Sequence, residues 1–141
     1  RTNAYSGTYP RIDLHSTASI ATENGEQIQM GTYYRQAGTS MTLVNNTAAA
    51  TPIDTIDAAL RAVRIDYTIT RLTTTRTGYF TIVASTDGTG GNLVYNDEGY
   101  QNTSTGVTLT ATETGSVVSW KYTTTNTGSD ATLYYSVTLL A

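Results

Sequence analysis

The sequence predicts an all-β fold: an antiparallel β-sandwich, jelly-roll-like, preceded by an extended N-terminal arm. Three observations carry this. Apolar side chains fall at every second position in four separate runs: Val63/Ile65/Tyr67/Ile69, Val107/Leu109/Ala111, Val118/Trp120/Tyr122 and Leu133/Tyr135/Val137/Leu139. A strand points successive side chains to opposite faces, so each run buries one face and wets the other. Clusters of Gly, Thr and Asn separate the runs, as in a sandwich built from short antiparallel strands. About one residue in five is Thr, which suits a half-buried pleated surface.

Residues Arg1–Ala50 carry little periodicity and read as an extended arm, with short strands at Ile12–Leu14, Glu26–Tyr33 and Ser40–Val44. Asn45-Asn46-Thr47 and the alanines after it read as a loop. The segment 51–61 is the one helical candidate. Thr51 suits an N-cap, Pro52 the first helical position, and Asp54 the first turn, where the helix dipole favours a carboxylate. Residues 62–141 form the sandwich domain. Strands are expected at Val63–Arg71, Gly78–Ser85, Leu93–Tyr95, Gly106–Thr112, Val117–Thr123 and Thr132–Leu140. Glu113-Thr114-Gly115-Ser116 is a good hairpin turn, because Gly115 accepts a positive φ.

At 141 residues the chain is one domain by size, with the arm appended. A compact chain of this length buries roughly 68–70% of its unfolded surface, enough for its own core. Only 13% of residues are charged, too few for a disordered chain of ordinary type. The net charge of −3 argues against nucleic acid or an anionic membrane as partner. No apolar run approaches the ~20 residues of a membrane helix, so no membrane insertion is expected. There is no cysteine, which removes disulfides and thiolate metal sites and tilts the expected source toward bacteria or viruses. The chain begins at Arg1 without an initiator Met and reads as part of a longer or processed polypeptide.

Candidate chemistry is sparse. His15 is the single histidine, beside Asp13 in the least regular third of the chain. A catalytic triad would have to use it, and a metal site would need carboxylates for most of its ligands. Asp97-Glu98 is the only adjacent acidic pair, whereas a glycosidase needs two carboxyls facing a sugar across roughly 5–10 Å. Asp87-Gly88-Thr89-Gly90-Gly91-Asn92 lacks the Lys of a phosphate loop and the spaced carboxylates of a calcium loop. With so few routes to an activated nucleophile or an acid–base pair, the expectation is no enzyme, no cofactor and no metal.

The aromatic set is skewed, with 11 Tyr against one Trp and one Phe, so most rings favour a wet hydroxyl edge. Trp120 alternates with Val118 and Tyr122 and belongs to the core. Tyr95 and Tyr100 flank Asn96-Asp97-Glu98-Gly99, read as a polar loop with aromatic edges. Tyr95, Asp97 and Tyr100 are therefore the candidate glycan contacts. Arg64 and Arg71 lie an odd seven residues apart and point to opposite faces of one strand. Arg71 and Arg76 flank a Thr-rich connection, where a planar guanidinium suits pairing with another subunit's carboxylates; solvated strand ends suit them equally.

The block Arg64-Ile65-Asp66-Tyr67-Thr68-Ile69-Thr70-Arg71 continues through Arg76-Thr77-Gly78-Tyr79-Phe80-Thr81-Ile82, Gly106-Val107-Thr108-Leu109 and Trp120–Thr127. It closes on Asp130-Ala131-Thr132-Leu133-Tyr134-Tyr135-Ser136-Val137. Over residues 62–141 this pattern resembles the C-terminal β-sandwich domains of tailed-bacteriophage fibre and appendage proteins. The resemblance implies a homotrimer on the virion surface, contacting other virion proteins and a host surface glycan. A receptor-contacting fibre tip is the first expectation. A capsid decoration or head-fibre protein, gripping neighbours with its arm, is the second; a carbohydrate-binding module of a larger enzyme is the third. Tyr134 and Leu140 add a physical reason for a trimer, since they lie opposite the Leu133/Tyr135/Val137/Leu139 stripe. Arg71, Arg76 and Tyr134 are the candidate interface residues.

Overall fold

The structure is a computed structural model that describes residues 27–30, 33–36, 39–58, 61–84 and 92–140. Ten strands follow in chain order: β1 (Gln27–Met30), β2 (Tyr33–Gln36), β3 (Thr39–Leu43), β4 (Thr51–Asp57), β5 (Ala62–Arg71), β6 (Thr74–Val83), β7 (Val94–Gln101), β8 (Val107–Thr114), β9 (Val117–Thr124) and β10 (Ala131–Leu139). Among the described residues there is no α-helix. The strands form two antiparallel sheets. The larger has seven strands in the order β1-β2-β10-β5-β6-β7, with β3 also on β10; the smaller has the order β4-β9-β8.

The period-two runs pack face to face. On β5 burial alternates strictly, with Val63, Ile65, Tyr67, Ile69 and Arg71 inward. They meet Val118, Trp120 and Tyr122 of β9 and Val107, Leu109 and Ala111 of β8 in one core, which also takes Phe80, Ile82, Leu133 and Leu139. Trp120 is fully buried at its centre. Its ring lies 5.9 Å from Phe80 and edge-on to Tyr135 at 5.2 Å. Such tilted contacts bring the positive edge of one ring to the negative face of the next.

Two hairpins set the registers. The β8–β9 turn is Gly115-Ser116, with φ +59 at Gly115, the positive-φ slot that a two-residue hairpin reserves for glycine. The β5–β6 turn is Leu72-Thr73, and Leu72 occupies the equivalent slot at φ +53. A branched residue held there costs about 1–2 kcal/mol. The strand pairing on both sides, ten residue pairs long, outweighs that strain.

The structure corrects the sequence reading in three places. Residues 51–57 form strand β4, not a helical turn. Pro52 is tolerated because β4 is an edge strand, where a missing N–H breaks no ladder, and the register shifts at Pro52/Asp54. Ile56 enters the core and Asp54 accepts a hydrogen bond from Tyr135, so β4 is bound to both sheets rather than linking them. The strand expected at Ser40–Val44 is present as β3, but it belongs to the large sheet rather than to an arm: it pairs with β10, and Leu43 is fully buried. Finally, 96–101 is the main part of strand β7, not a loop. The expected strand at Ile12–Leu14 lies outside the described residues.

Candidate functional site

The outer face of the large sheet is where sequence and register assemble a surface. Because β5 alternates, Arg64, Asp66, Thr68 and Thr70 point outward. Register then dictates their neighbours. One transverse row reads Ser40, Tyr134, Thr68, Thr77 and Tyr100 across β3, β10, β5, β6 and β7. The next reads Ser136, Asp66, Tyr79 and Glu98. Up to Glu98, which lies at its margin, these rows line an open trough of about 730 Å³, with the three tyrosines 79, 100 and 134 among its walls. Tyr100 is 84% exposed and Tyr134 53%.

The polar groups of the trough are held by one another. Arg64 donates through Nε and Nη2 to Asp66 Oδ1, at 3.0 and 2.8 Å. Its guanidinium lies over the Tyr79 ring, 4.2 Å from the centroid, so one aromatic face is already covered. The Tyr79 hydroxyl donates to Glu98, and that hydrogen bond raises its pKa. Asn96 donates to the other Glu98 oxygen at 2.8 Å. The Thr68 and Thr77 hydroxyls meet at 3.2 Å on the floor between Tyr134 and Tyr100.

A second polar cluster sits at the inner rim between β5, β6 and β7. Asp97 accepts from Arg76 Nη2 at 2.5 Å and from the Tyr67 hydroxyl at 2.6 Å. Arg76 also donates to the Val107 carbonyl at 3.1 Å, which fastens β6 to the small sheet. Gly99 is required here: a Cβ on it would come within 2.6 Å of the Tyr67 hydroxyl.

Burial pushes the Tyr67 pKa well above the usual range, and the Asp97 hydrogen bond and charge add to this. Tyr135 behaves alike, first through burial and then through the charge of Asp54. Both hydroxyls thus stay protonated in the folded state at pH values where free tyrosine, with a pKa of about 10, ionises. Below about pH 10 the stabilisation is complete; as pH rises from there through the folded values, the unfolded chain loses protons first and stability falls. Urea midpoints should therefore drop steadily above about pH 10. The fall should flatten in a Tyr67→Phe/Tyr135→Phe double variant, and equal slopes would contradict the assignment.

The expected site residues separate. Tyr100 lies on the outer face, in the trough. Tyr95 and Asp97 are offset from it by odd numbers along β7 and turn to the other face. There Tyr95 stacks on Phe80 at 5.3 Å and Asp97 is taken by Arg76 and Tyr67. The three therefore do not form one contact surface. Arg71 and Arg76 do not wait for another subunit. Arg76 pairs with Asp97 of its own chain, and Arg71 is buried, donating to Asn45, Thr105, Thr125 and Ser129. Tyr134 is exposed on the trough wall. His15 and most of the Asp87–Asn92 segment lie outside the described residues. Tyr79 and the pairing of Arg64 with Asp66 are not among the residues the sequence points to. Their signal was there in principle, as outward positions of a period-two run, but it needed the two-residue turn at Leu72-Thr73 to set the register. No protein-family model, curated protein or solved structure matches the chain.

Proposed function

We propose that this chain is a non-enzymatic virion protein of a tailed bacteriophage, the homotrimeric tip of a fibre or appendage, and that it meets the host surface through the outer face of its large sheet. The observation that supports this most is the trough itself. A sheet face that served only to cover a core would carry scattered polar groups. This one concentrates exposed tyrosines around a pre-paired Arg64–Asp66 floor, at positions where burial alone demands none of them. Aromatic rings with a wet edge are the side chains that binding surfaces select. The rings stand on strands, so the surface is rigid and needs no ordering on contact.

Antibody against the purified chain, imaged on intact particles by negative-stain microscopy, tests the assignment. Label is expected at the distal ends of tail fibres or appendages. Label on the head would overturn it in favour of capsid decoration. Light scattering on the same chain should give three times the 15.1 kDa protomer mass, and a monomer at micromolar concentration would remove the trimer.

A further inference from the structure

Resting on that reading of the outer face, we infer that the trough is a binding site for an uncharged glycan, held between Tyr134 and Tyr100 above the Thr68/Thr77 floor. Four features of the site converge on this chemistry.

The first is spacing. Tyr134 and Tyr100 stand in the same transverse row, three strand intervals apart, or about 14 Å at ordinary sheet spacing. Between them the floor carries only small side chains, and Gly78 also lines the trough. A short run of pyranose rings fits such a gap, with a tyrosine face at each end for the apolar C–H face of a sugar. The second is hydroxyl chemistry. Thr68, Thr77, Ser40 and Ser136 line the trough. Thr77 donates to the Tyr67 carbonyl at 3.2 Å and Thr68 to Thr77, so these two hydroxyls offer acceptor lone pairs to a sugar O–H, while a serine hydroxyl both donates and accepts.

The third feature is charge. Arg64 is already engaged with Asp66 and covers Tyr79, and Glu98, beside Tyr79 at the margin of the trough, accepts from two neutral donors, the Tyr79 hydroxyl and the Asn96 amide. The local sum is one positive against two negative groups, inside a chain of net charge −3. An anionic sugar or a phosphate backbone meets repulsion there, whereas a neutral glycan does not. The fourth is that Arg64 keeps N–H groups beyond the two given to Asp66, in a fixed plane. It can donate to a sugar oxygen without moving.

Calorimetric titration of the full chain tests this. The neutral probes are oligomers of glucose, N-acetylglucosamine, mannose and rhamnose; the acidic probes are alginate oligomers and polysialic acid. At least one neutral probe is expected to bind, with an affinity insensitive to salt. Tyr134→Ala and Tyr100→Ala should each weaken it about tenfold, as loss of one aromatic contact does, at unchanged melting temperature. Lys121→Ala, on the other sheet, should leave it unchanged. Binding of acidic probes only, of no probe, or binding indifferent to both tyrosines would overturn the inference. If tail-end labelling persists while no glycan binds, the fibre-tip reading stands and the occupant of the trough is a protein.

Discussion

Trp120→Ala destabilises the fold by about 3–5 kcal/mol, the usual range for truncating a buried aromatic side chain. The large end of that range applies here because the site cannot collapse. Trp120 is flanked on β9 by Asp54 of β4 and Ala111 of β8, so its backbone is fixed on both sides. Across the core it touches Phe80 of β6 and Tyr135 of β10. The ring therefore joins the two sheets at their centre, and its removal leaves a void bounded by strands that are themselves hydrogen-bonded. Urea unfolding followed by circular dichroism reads the loss. Trp120→Phe should recover much of it, because it keeps the edge contact while shortening the ring. A Trp120→Ala chain that melts within a degree or two of the parent would refute the central role.

Arg71→Met should cost a similar amount, about 3–5 kcal/mol, for a different reason. Arg71 ends the inward-facing series of β5 and is 3% exposed. It reaches no carboxylate among its hydrogen-bond partners. Its Nε donates to the Ser129 carbonyl at 2.8 Å, Nη1 to the Thr105 carbonyl at 3.0 Å, and Nη2 to Asn45 Oδ1 at 2.5 Å and the Thr125 carbonyl at 2.9 Å. Gly106 makes room for this: its φ is +65, and a Cβ there would come within 3.1 Å of Nη1. Methionine keeps the apolar stem but takes the donor from the carbonyls of Thr105, Thr125 and Ser129, and leaves Asn45 Oδ1 only the Thr127 amide. Each such bond to a charged donor contributes about 1.5–3 kcal/mol, not additively. Arg71→Lys should restore only part, because an ammonium lacks the planar fork. Hydrogen exchange gives the discriminating readout. The amide of Thr127, which donates to Asn45 Oδ1, should exchange faster in both variants while core amides of β9 slow or quicken only with global stability. Unchanged exchange at Thr127 would show that Arg71 does not hold these connections.

What was legible in the sequence follows from the length scale of each signal. Alternation over Val63–Ile69 and Val118–Tyr122 is local, and it marked β5, β9 and the burial of Trp120 correctly. The two-residue turn at Gly115 was also local. Asn, Asp, Glu and Gly at 96–99 read locally as loop, which groups Tyr95 with Tyr100 although β7 turns them to opposite faces. In the fold these residues sit on an edge strand, where charges discourage pairing with other chains and Arg76 and Tyr67 satisfy Asp97. The partner that made Asp97 compatible with a strand lies 21 residues away, beyond any local pattern. Pro52 misled in the same way, since only the sheet order shows that β4 has an edge to spare. The trough was invisible for a third reason: its tyrosines come from β6, β7 and β10, and no spacing within one strand connects them.

The place of β10 carries a consequence for synthesis. Among the described residues it is the last of ten strands in chain order, yet it lies between β5 on one side and β2 and β3 on the other. Residue pairs such as Leu133↔Met41 and Leu133↔Ile69 must all wait for it. While a ribosome is still translating β9, the hairpin of β5 and β6 can form, but one flank of β5 stays open and β3 has nothing to join. The larger sheet closes only after its final strand clears the exit tunnel. A chain that stalls before residue 131 would thus display a bare β5 edge rich in Val, Ile and Tyr, the kind of edge that recruits another chain. In a crowded polysome, the time between translating β5 and releasing β10 sets the window for mispairing with a neighbour's nascent strand.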